Sequence, residues 1–159
     1  MKTVKLVAAV VVAFALLVPA SAAGAQPGDS LTVRVADVLE KFPGGVEVAP
    51  GVIEWDEGAI TLTLESDFNA RSIGTCATGQ YCAWTGTFYS GTKVAFTSCS
   101  AGGTSSSLAT LGAAARSTAN ARTTGTVNAV NSGTLVYTMA ANTGKTSTAA
   151  TLTHLVCFT

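Results

Sequence analysis

Short stretches in which hydrophobic and polar residues alternate recur from residue 46 to the end of the chain, and a helical spacing precedes them. Between residues 29 and 41 the apolar side chains fall on one stripe of a helix. The members of this stripe are Leu31, Val35, Val38 and Leu39. Asp29 or Ser30 is expected to cap the start of the helix, and Phe42-Pro-Gly-Gly45 is expected to end it.

The residues after this helix favour a small hairpin. Three strands are predicted, at residues 46–48, 52–55 and 59–64, with turns at 49–51 and 54–58. Together with the helix they form a helix-plus-hairpin segment of about forty residues. A segment of that size buries too little apolar surface to be stable alone, so we expect it to pack on the C-terminal part of the chain.

From residue 71 onward the pattern is typical of an all-β protein, in keeping with a composition rich in Thr, Ala, Gly, Ser and Val. Strands are predicted at residues 80–84, 93–97, 126–130, 134–140 and 151–158. Asn131-Ser-Gly133 is a hairpin signal between two of them. The intervening segments are predicted as a folded turn at 85–91, a Ser/Gly/Thr-rich connection at 98–107, one short helical turn around Leu108, Leu111 and Ala115, and a polar loop at 141–149.

The first 25 residues have the organisation of an export signal. A basic start, Met1 to Lys5, precedes an apolar run over residues 6–18, and small residues suited to cleavage come after it. Both Ala20-Ser-Ala22 and Ala23-Gly-Ala25 fit a cleavage site, and we favour cleavage before Gln26. A retained membrane anchor is the alternative, but the run is short and lacks a basic flank. We therefore expect a secreted, extracellular protein without a membrane anchor.

Charge divides the mature chain into two parts. All nine acidic residues lie between Asp29 and Asp67, whereas residues 68–159 contain five scattered cations and no acid. We accordingly divide the chain into a signal peptide at 1–25, an acidic N-terminal segment at 26–67 and a β domain at 68–159. Scattered cations without a basic run do not indicate nucleic-acid binding. The acidic segment is a candidate propeptide or partner-binding appendage.

The residues that could carry chemistry are few. Four cysteines in an exported protein favour two disulfides, and a zinc site is the alternative, although no Cys-x-x-Cys pair is present. The β domain has no carboxylate for calcium. His154 is the only histidine, and the spacing supports no Ser-His-Asp site around it. We expect neither an enzyme nor a bound cofactor.

One stretch of the β domain carries a family resemblance. Cys76 and Cys82 are followed by the pattern Trp84-x4-Tyr89-x-Gly91, and Ala115-Arg116-Ser117-Thr-Ala-Asn120 comes later. Over about residues 74–158 the chain resembles the bacterial βγ-crystallin-like peptidase inhibitors, typified by the streptomycete metalloproteinase inhibitor. The resemblance implies a Greek-key sandwich held by two disulfides. In such a fold Trp84 and Tyr89 pack as a corner and Gly91 adopts a conformation closed to other residues. A generic aromatic hairpin is the alternative.

A second, fainter match, Tyr137-x4-Asn142-x-Gly144, suggests two similar halves at about 70–115 and 116–159.

The resemblance also implies the pairing Cys76–Cys82, and with it Cys99–Cys157. It further implies an inhibitor of an extracellular protease, with metalloproteases as the first candidates, and we expect a monomer. The type member closes its inhibitory loop with a pair of cysteines, and this chain has no such pair, so the sequence leaves the inhibitory loop unknown. The alternative function is a non-inhibitory crystallin-like module with a structural or surface-binding role.

Overall fold

The computed structural model of the chain describes residues 29–64 and 76–159, and these residues are mainly β. One helix, α1, spans Asp29–Lys41, and single 3₁₀ turns span Asp56–Gly58 and Ala109–Leu111. The strands are β1 (Val46–Ala49), β2 (Val52–Trp55), β3 (Ile60–Thr63), β4 (Tyr81–Trp84), β5 (Lys93–Phe96), β6 (Thr104–Ser107), β7 (Ser117–Asn120), β8 (Thr126–Asn131), β9 (Thr134–Ala140), β10 (Thr143–Lys145) and β11 (His154–Phe158). The predicted signal peptide and the predicted boundary at residues 67 and 68 lie outside the described residues.

The strands form two antiparallel sheets. The larger sheet has the order β1-β2-β3-β5-β4-β7-β10, and the smaller has the order β6-β11-β8-β9. With one helix and two disulfides, this arrangement confirms the predicted mainly β fold class. The Greek-key crystallin identity of the sheets stays a prediction.

The main core lies between the two sheets. Alternate residues of β4 and β5, among them Tyr81 and Phe96, face it from the larger sheet, and their rings stack with centroids 5.3 Å apart. Leu155 and Cys157 of β11 face it from the smaller sheet. The Tyr81 hydroxyl donates to the Ser98 carbonyl at 2.9 Å, which satisfies a polar group at the edge of the core. Burial raises the pKa of Tyr81.

The acidic N-terminal segment is part of this architecture. Strand β3 pairs with β5, with Leu62 opposite Val94, so the hairpin extends the larger sheet. Val35 of α1 and Ile53 of β2 belong to the main core together with Leu62. The Trp55 indole donates to the Phe42 carbonyl at 3.0 Å and fixes the chain just after α1. The segment therefore packs on the rest of the chain, as its size requires.

Four sequence expectations were wrong in detail. The predicted connection at 98–107 contains β6, the predicted loop at 141–149 contains β10, and β7 was not predicted as a strand. These three strands are built from Ser, Thr, Ala, Gly, Asn and Lys, so they lack the hydrophobic alternation that marks a strand, and backbone pairing with neighbours forms them. Asp29 and Ser30, expected as N-caps, are the first two residues of α1.

The last predicted strand was also too long at its start. Residues 151–158 were expected to be extended, but β11 begins at His154. Leu152 and Leu155 both point into the main core, and residues three apart on one strand would point to opposite faces. The chain therefore enters the strand only after Leu152. The other predicted strands agree with the structure to within one residue at each end.

Candidate binding loop

All four cysteines are paired. Cys76 is bonded to Cys82 with an S–S distance of 2.02 Å, and Cys99 to Cys157 with 2.09 Å. The first bond closes a short loop before β4, and the second ties residues before β6 to β11. No thiolate is then left to bind zinc or to act as a nucleophile. Within the described residues, no group of His, Cys, Asp or Glu could hold a metal ion.

A second, smaller core lies on the outer face of the larger sheet. Cys82 and Trp84 point away from the main core because they alternate with Tyr81 and Ala83 along β4. Trp84 is only 1% exposed, and Tyr89 packs on it with ring centroids 5.1 Å apart at an angle of 59°. The tilted arrangement is one that aromatic pairs favour. The segment after β4 is thus anchored to the outer face of the sheet.

The backbone of loop 85–91, the segment between β4 and β5, is unusual. Phe88 and Tyr89 have φ angles of 53° and 60°, and Gly91 has a φ of 83°. Two consecutive aromatic residues in the left-handed region are rare, since each costs about 1–3 kcal/mol unless its surroundings hold it there. Such stored strain is concentrated at functional positions.

Hydrogen bonds to neighbouring strands and turns hold this conformation. Phe88 N–H donates to the Thr146 carbonyl at 2.7 Å, and Tyr89 N–H donates to Ser117 Oγ at 3.0 Å. The same Ser117 hydroxyl donates to the Gly86 carbonyl at 2.7 Å. Further bonds within the turn are Gly86 N–H to Ser90 O, Ser90 Oγ to Thr87 O, Thr85 N–H to Thr92 O and Thr92 N–H to Thr85 Oγ1. The loop is therefore rigid without a disulfide of its own.

Close packing on β10 adds a further restraint. A Cβ added at Gly144 would lie 2.6 Å from the Tyr89 hydroxyl oxygen and 2.9 Å from the Thr118 carbonyl oxygen. Only glycine leaves room for Tyr89 at this place, because a methyl group would overlap both atoms. The fainter motif of the second half thus supplies the surface on which the tyrosine of the first motif rests.

Phe88 itself points to solvent. Its side chain is 70% exposed, the largest exposed fraction among the large hydrophobic residues described. Burial of a phenylalanine side chain stabilises a protein by about 1.5–3 kcal/mol, and the exposed side chain of Phe88 does not contribute this stabilisation. Its backbone is nevertheless held in one conformation by hydrogen bonds. A rigid aromatic side chain loses little conformational entropy on binding, which makes this position a suitable anchor for a partner.

Three cations belong to the segments that flank the loop. Lys93 lies opposite Trp84 in the sheet, and burial lowers the pKa of its amine. Arg116 N–H donates to the Trp84 carbonyl at 2.7 Å, which places Arg116 beside the start of the loop. Lys145 immediately precedes Thr146, the acceptor for Phe88, and its amine lies 4.8 Å from the centre of the Tyr137 ring. Burial raises the pKa of Tyr137. The amine of Lys145 is thus directed toward β9 of the smaller sheet, whereas Lys93 lies on the same face of the larger sheet as Trp84.

The structure brings some sequence-predicted residues together and adds others. Trp84, Tyr89 and Gly91 all lie in or beside the loop, whereas the disulfide Cys99–Cys157 is located between the two sheets. Phe88 and Thr146 were not selected from the sequence, and Ser117 was named only as part of the run Ala115-Arg116-Ser117-Thr-Ala-Asn120. The sequence feature that could have identified Phe88 is the aromatic pair Phe88-Tyr89 inside a predicted turn, because turns consist mostly of small and polar residues.

Replacing Gly91 tests whether the loop conformation is strained as described. We expect Gly91→Ala to lower the free energy of unfolding by about 1–2 kcal/mol, because a Cβ is disfavoured at positive φ. Gly102→Ala is the matched control, since nothing lies within 4 Å of its added methyl and its φ is outside the positive region. Urea unfolding of both variants measures the difference, and equal midpoints would contradict the strained conformation.

The chain was also compared with known proteins. Neither the protein-family models, nor the curated proteins, nor the solved structures contain a match to it. Within residues 29–64 and 76–159, no helix is both long and apolar enough to span a membrane.

Proposed function

We propose that the protein is a secreted peptidase inhibitor that blocks its target with loop 85–91. The observation that carries the proposal is Phe88, a largely exposed aromatic side chain on a strained and hydrogen-bonded turn. Ordering a flexible contact loop costs conformational entropy and weakens binding. A loop that is already rigid in the free inhibitor avoids this cost. The predicted export signal and the two disulfides support an extracellular setting.

The loop also resolves the main difficulty of the family resemblance. The chain has no cysteine pair in its second half to close an inhibitory loop. Here Ser117 of β7 and Thr146, the residue after β10, hold the loop by hydrogen bonds. Packing of Tyr89 on Trp84 anchors it to the outer face of the larger sheet. Hydrogen bonds and packing thereby take the place of a disulfide in preorganising the contact surface. The contact loop accordingly lies in the first half of the domain.

The test is a titration of two peptidases by the mature protein. Wild type is added to a thermolysin-type metallopeptidase and to a subtilisin-type serine peptidase, and stoichiometric loss of activity is expected for at least one. Phe88→Ala should weaken inhibition by about 30-fold to 1,000-fold, since truncation of a central aromatic anchor costs about 2–4 kcal/mol. Leu135→Ala is the control, because Leu135 is also exposed, at 56%, but belongs to β9 of the other sheet.

Two results would overturn the proposal. One is no inhibition of either enzyme at micromolar concentration by protein that stays intact. The other is inhibition that Phe88→Ala leaves unchanged.

The second candidate is a surface-binding module, which a specific feature of the smaller sheet favours. Its outward residues carry no formal charge: they are Ser105, Ser107, Thr126, Asn128, Val130, Leu135, Thr138, Ala140, His154, Val156 and Phe158. Thr138 donates to Asn128 across two strands at 2.7 Å, so this face is ordered. Failure of the titration, with intact protein, would favour this function over inhibition.

A further inference from the structure

We infer that loop 85–91 blocks a peptidase by the side chain of Phe88 alone and is not presented as a substrate, so the loop stays uncut in the complex. This inference rests on the proposed function and specifies the mode of binding and the kind of pocket that receives the loop. Two features carry it: the hydrogen bonds of the loop backbone and its dihedral angles.

The backbone donors at the tip of the loop are already used. A substrate or a substrate-like inhibitor lies in the cleft as an extended strand and exchanges main-chain hydrogen bonds with the enzyme. Phe88 N–H is bound to the Thr146 carbonyl at 2.7 Å, and Tyr89 N–H is bound to Ser117 Oγ at 3.0 Å. A peptidase could gain these donors only by breaking both internal bonds. The side chain of Phe88, in contrast, is free to solvent over most of its surface.

The dihedral angles lead to the same conclusion. Extended strands have φ near −120° to −140°, whereas Phe88 and Tyr89 have φ of 53° and 60°. Both residues would have to rotate through more than about 150° to become extended. Such a change would also pull Tyr89 away from Trp84 and from the space beside Gly144. The Phe88–Tyr89 peptide bond is thus held away from the geometry that a nucleophile needs.

The nature of the receiving pocket can be inferred from the same features. It must accept the uncharged and largely exposed phenyl ring of Phe88, so it is deep and apolar. Peptidases that select arginine or lysine by an acidic pocket floor are poor targets. Those that select phenylalanine or leucine side chains are the expected ones.

The experiment is a prolonged incubation of the wild-type mature protein with an equimolar thermolysin-type metallopeptidase or subtilisin-type serine peptidase. Residual activity and intact mass are followed over several days. We expect inhibition to persist with no cleavage between residues 85 and 91. Ser117→Ala removes the bonds to Tyr89 N–H and the Gly86 carbonyl, and we expect this variant to be cut within the loop at least about tenfold faster.

A second measurement needs no variant. Amide hydrogen exchange of Phe88 and Tyr89 is measured in the free protein and in the complex, and protection is expected in both. A complex that forms but is cut at any bond between residues 85 and 91, or in which the two amides lose protection, overturns this inference and leaves the proposed function standing. No complex with either enzyme overturns the proposed function, and this inference falls with it.

Discussion

Deletion of all residues before Cys76 is expected to abolish cooperative folding of the remaining chain. The deletion removes β3, so β5 loses one of its two partners in the larger sheet and Val94 loses Leu62 opposite it. It also removes four buried residues of the main core, namely Val35, Ile53, Leu62 and Leu64. At about 1.5–3 kcal/mol for each buried side chain, the loss is comparable with the roughly 5–15 kcal/mol that stabilises a typical domain.

Near-UV circular dichroism and urea unfolding of residues 76–159 check this prediction, with the chain beginning at Gln26 as the reference. A milder test replaces one side chain: Leu62→Ala is expected to cost about 2–5 kcal/mol, because it leaves a cavity in the main core. Val33→Ala on α1 is the control, since Val33 is exposed. Cooperative unfolding of residues 76–159 would instead show that the acidic segment is a separable propeptide or appendage.

Loss of the Cys99–Cys157 disulfide should destabilise the protein more than loss of Cys76–Cys82. The Cys99–Cys157 bond joins residues 58 apart in the sequence, and the Cys76–Cys82 bond joins residues 6 apart. On the loop-entropy model, restriction of the unfolded chain is worth about 4 kcal/mol for the long loop and about 2 kcal/mol for the short one. Cys157 is also a member of the main core, so a serine there adds a buried hydroxyl in an apolar site.

The double variants Cys99→Ser/Cys157→Ser and Cys76→Ser/Cys82→Ser isolate the two bonds without leaving a free thiol in either case. We expect the melting temperature to fall further for the first variant, by several degrees relative to the second. A reduced wild-type sample provides the lower limit for both. Equal melting temperatures would contradict the unequal roles of the two disulfides.

The strands that could be predicted from the sequence are those with apolar alternation. Strands β2 and β9 were predicted with their observed ends, because their hydrophobic runs are bounded by turn residues. Strand β7 could not be recognised, although Ser117, Thr118 and Asn120 are fully buried. Small polar residues carry no periodic signal, and their burial depends on partners from β4 and β10 that are distant in sequence.

The candidate site was predictable only in part, for a related reason. Trp84, Tyr89 and Gly91 belong to a spacing that is visible in the sequence. The exposure of Phe88 depends on positive φ angles and on acceptors supplied by Ser117 and Thr146, 28 and more residues away. Long-range hydrogen bonds of this kind leave no local pattern. The position of the loop tip therefore had to come from the three-dimensional structure.

The most direct test of the central claim is a binding competition at the active site of the peptidase. Calorimetry measures the affinity of the mature protein for a thermolysin-type metallopeptidase. The measurement is then repeated with the apolar pocket of the enzyme filled by a small inhibitor that carries a phenylalanyl side chain. If Phe88 occupies that pocket, binding should be lost when the pocket is filled. Undiminished affinity for the filled enzyme would contradict the account.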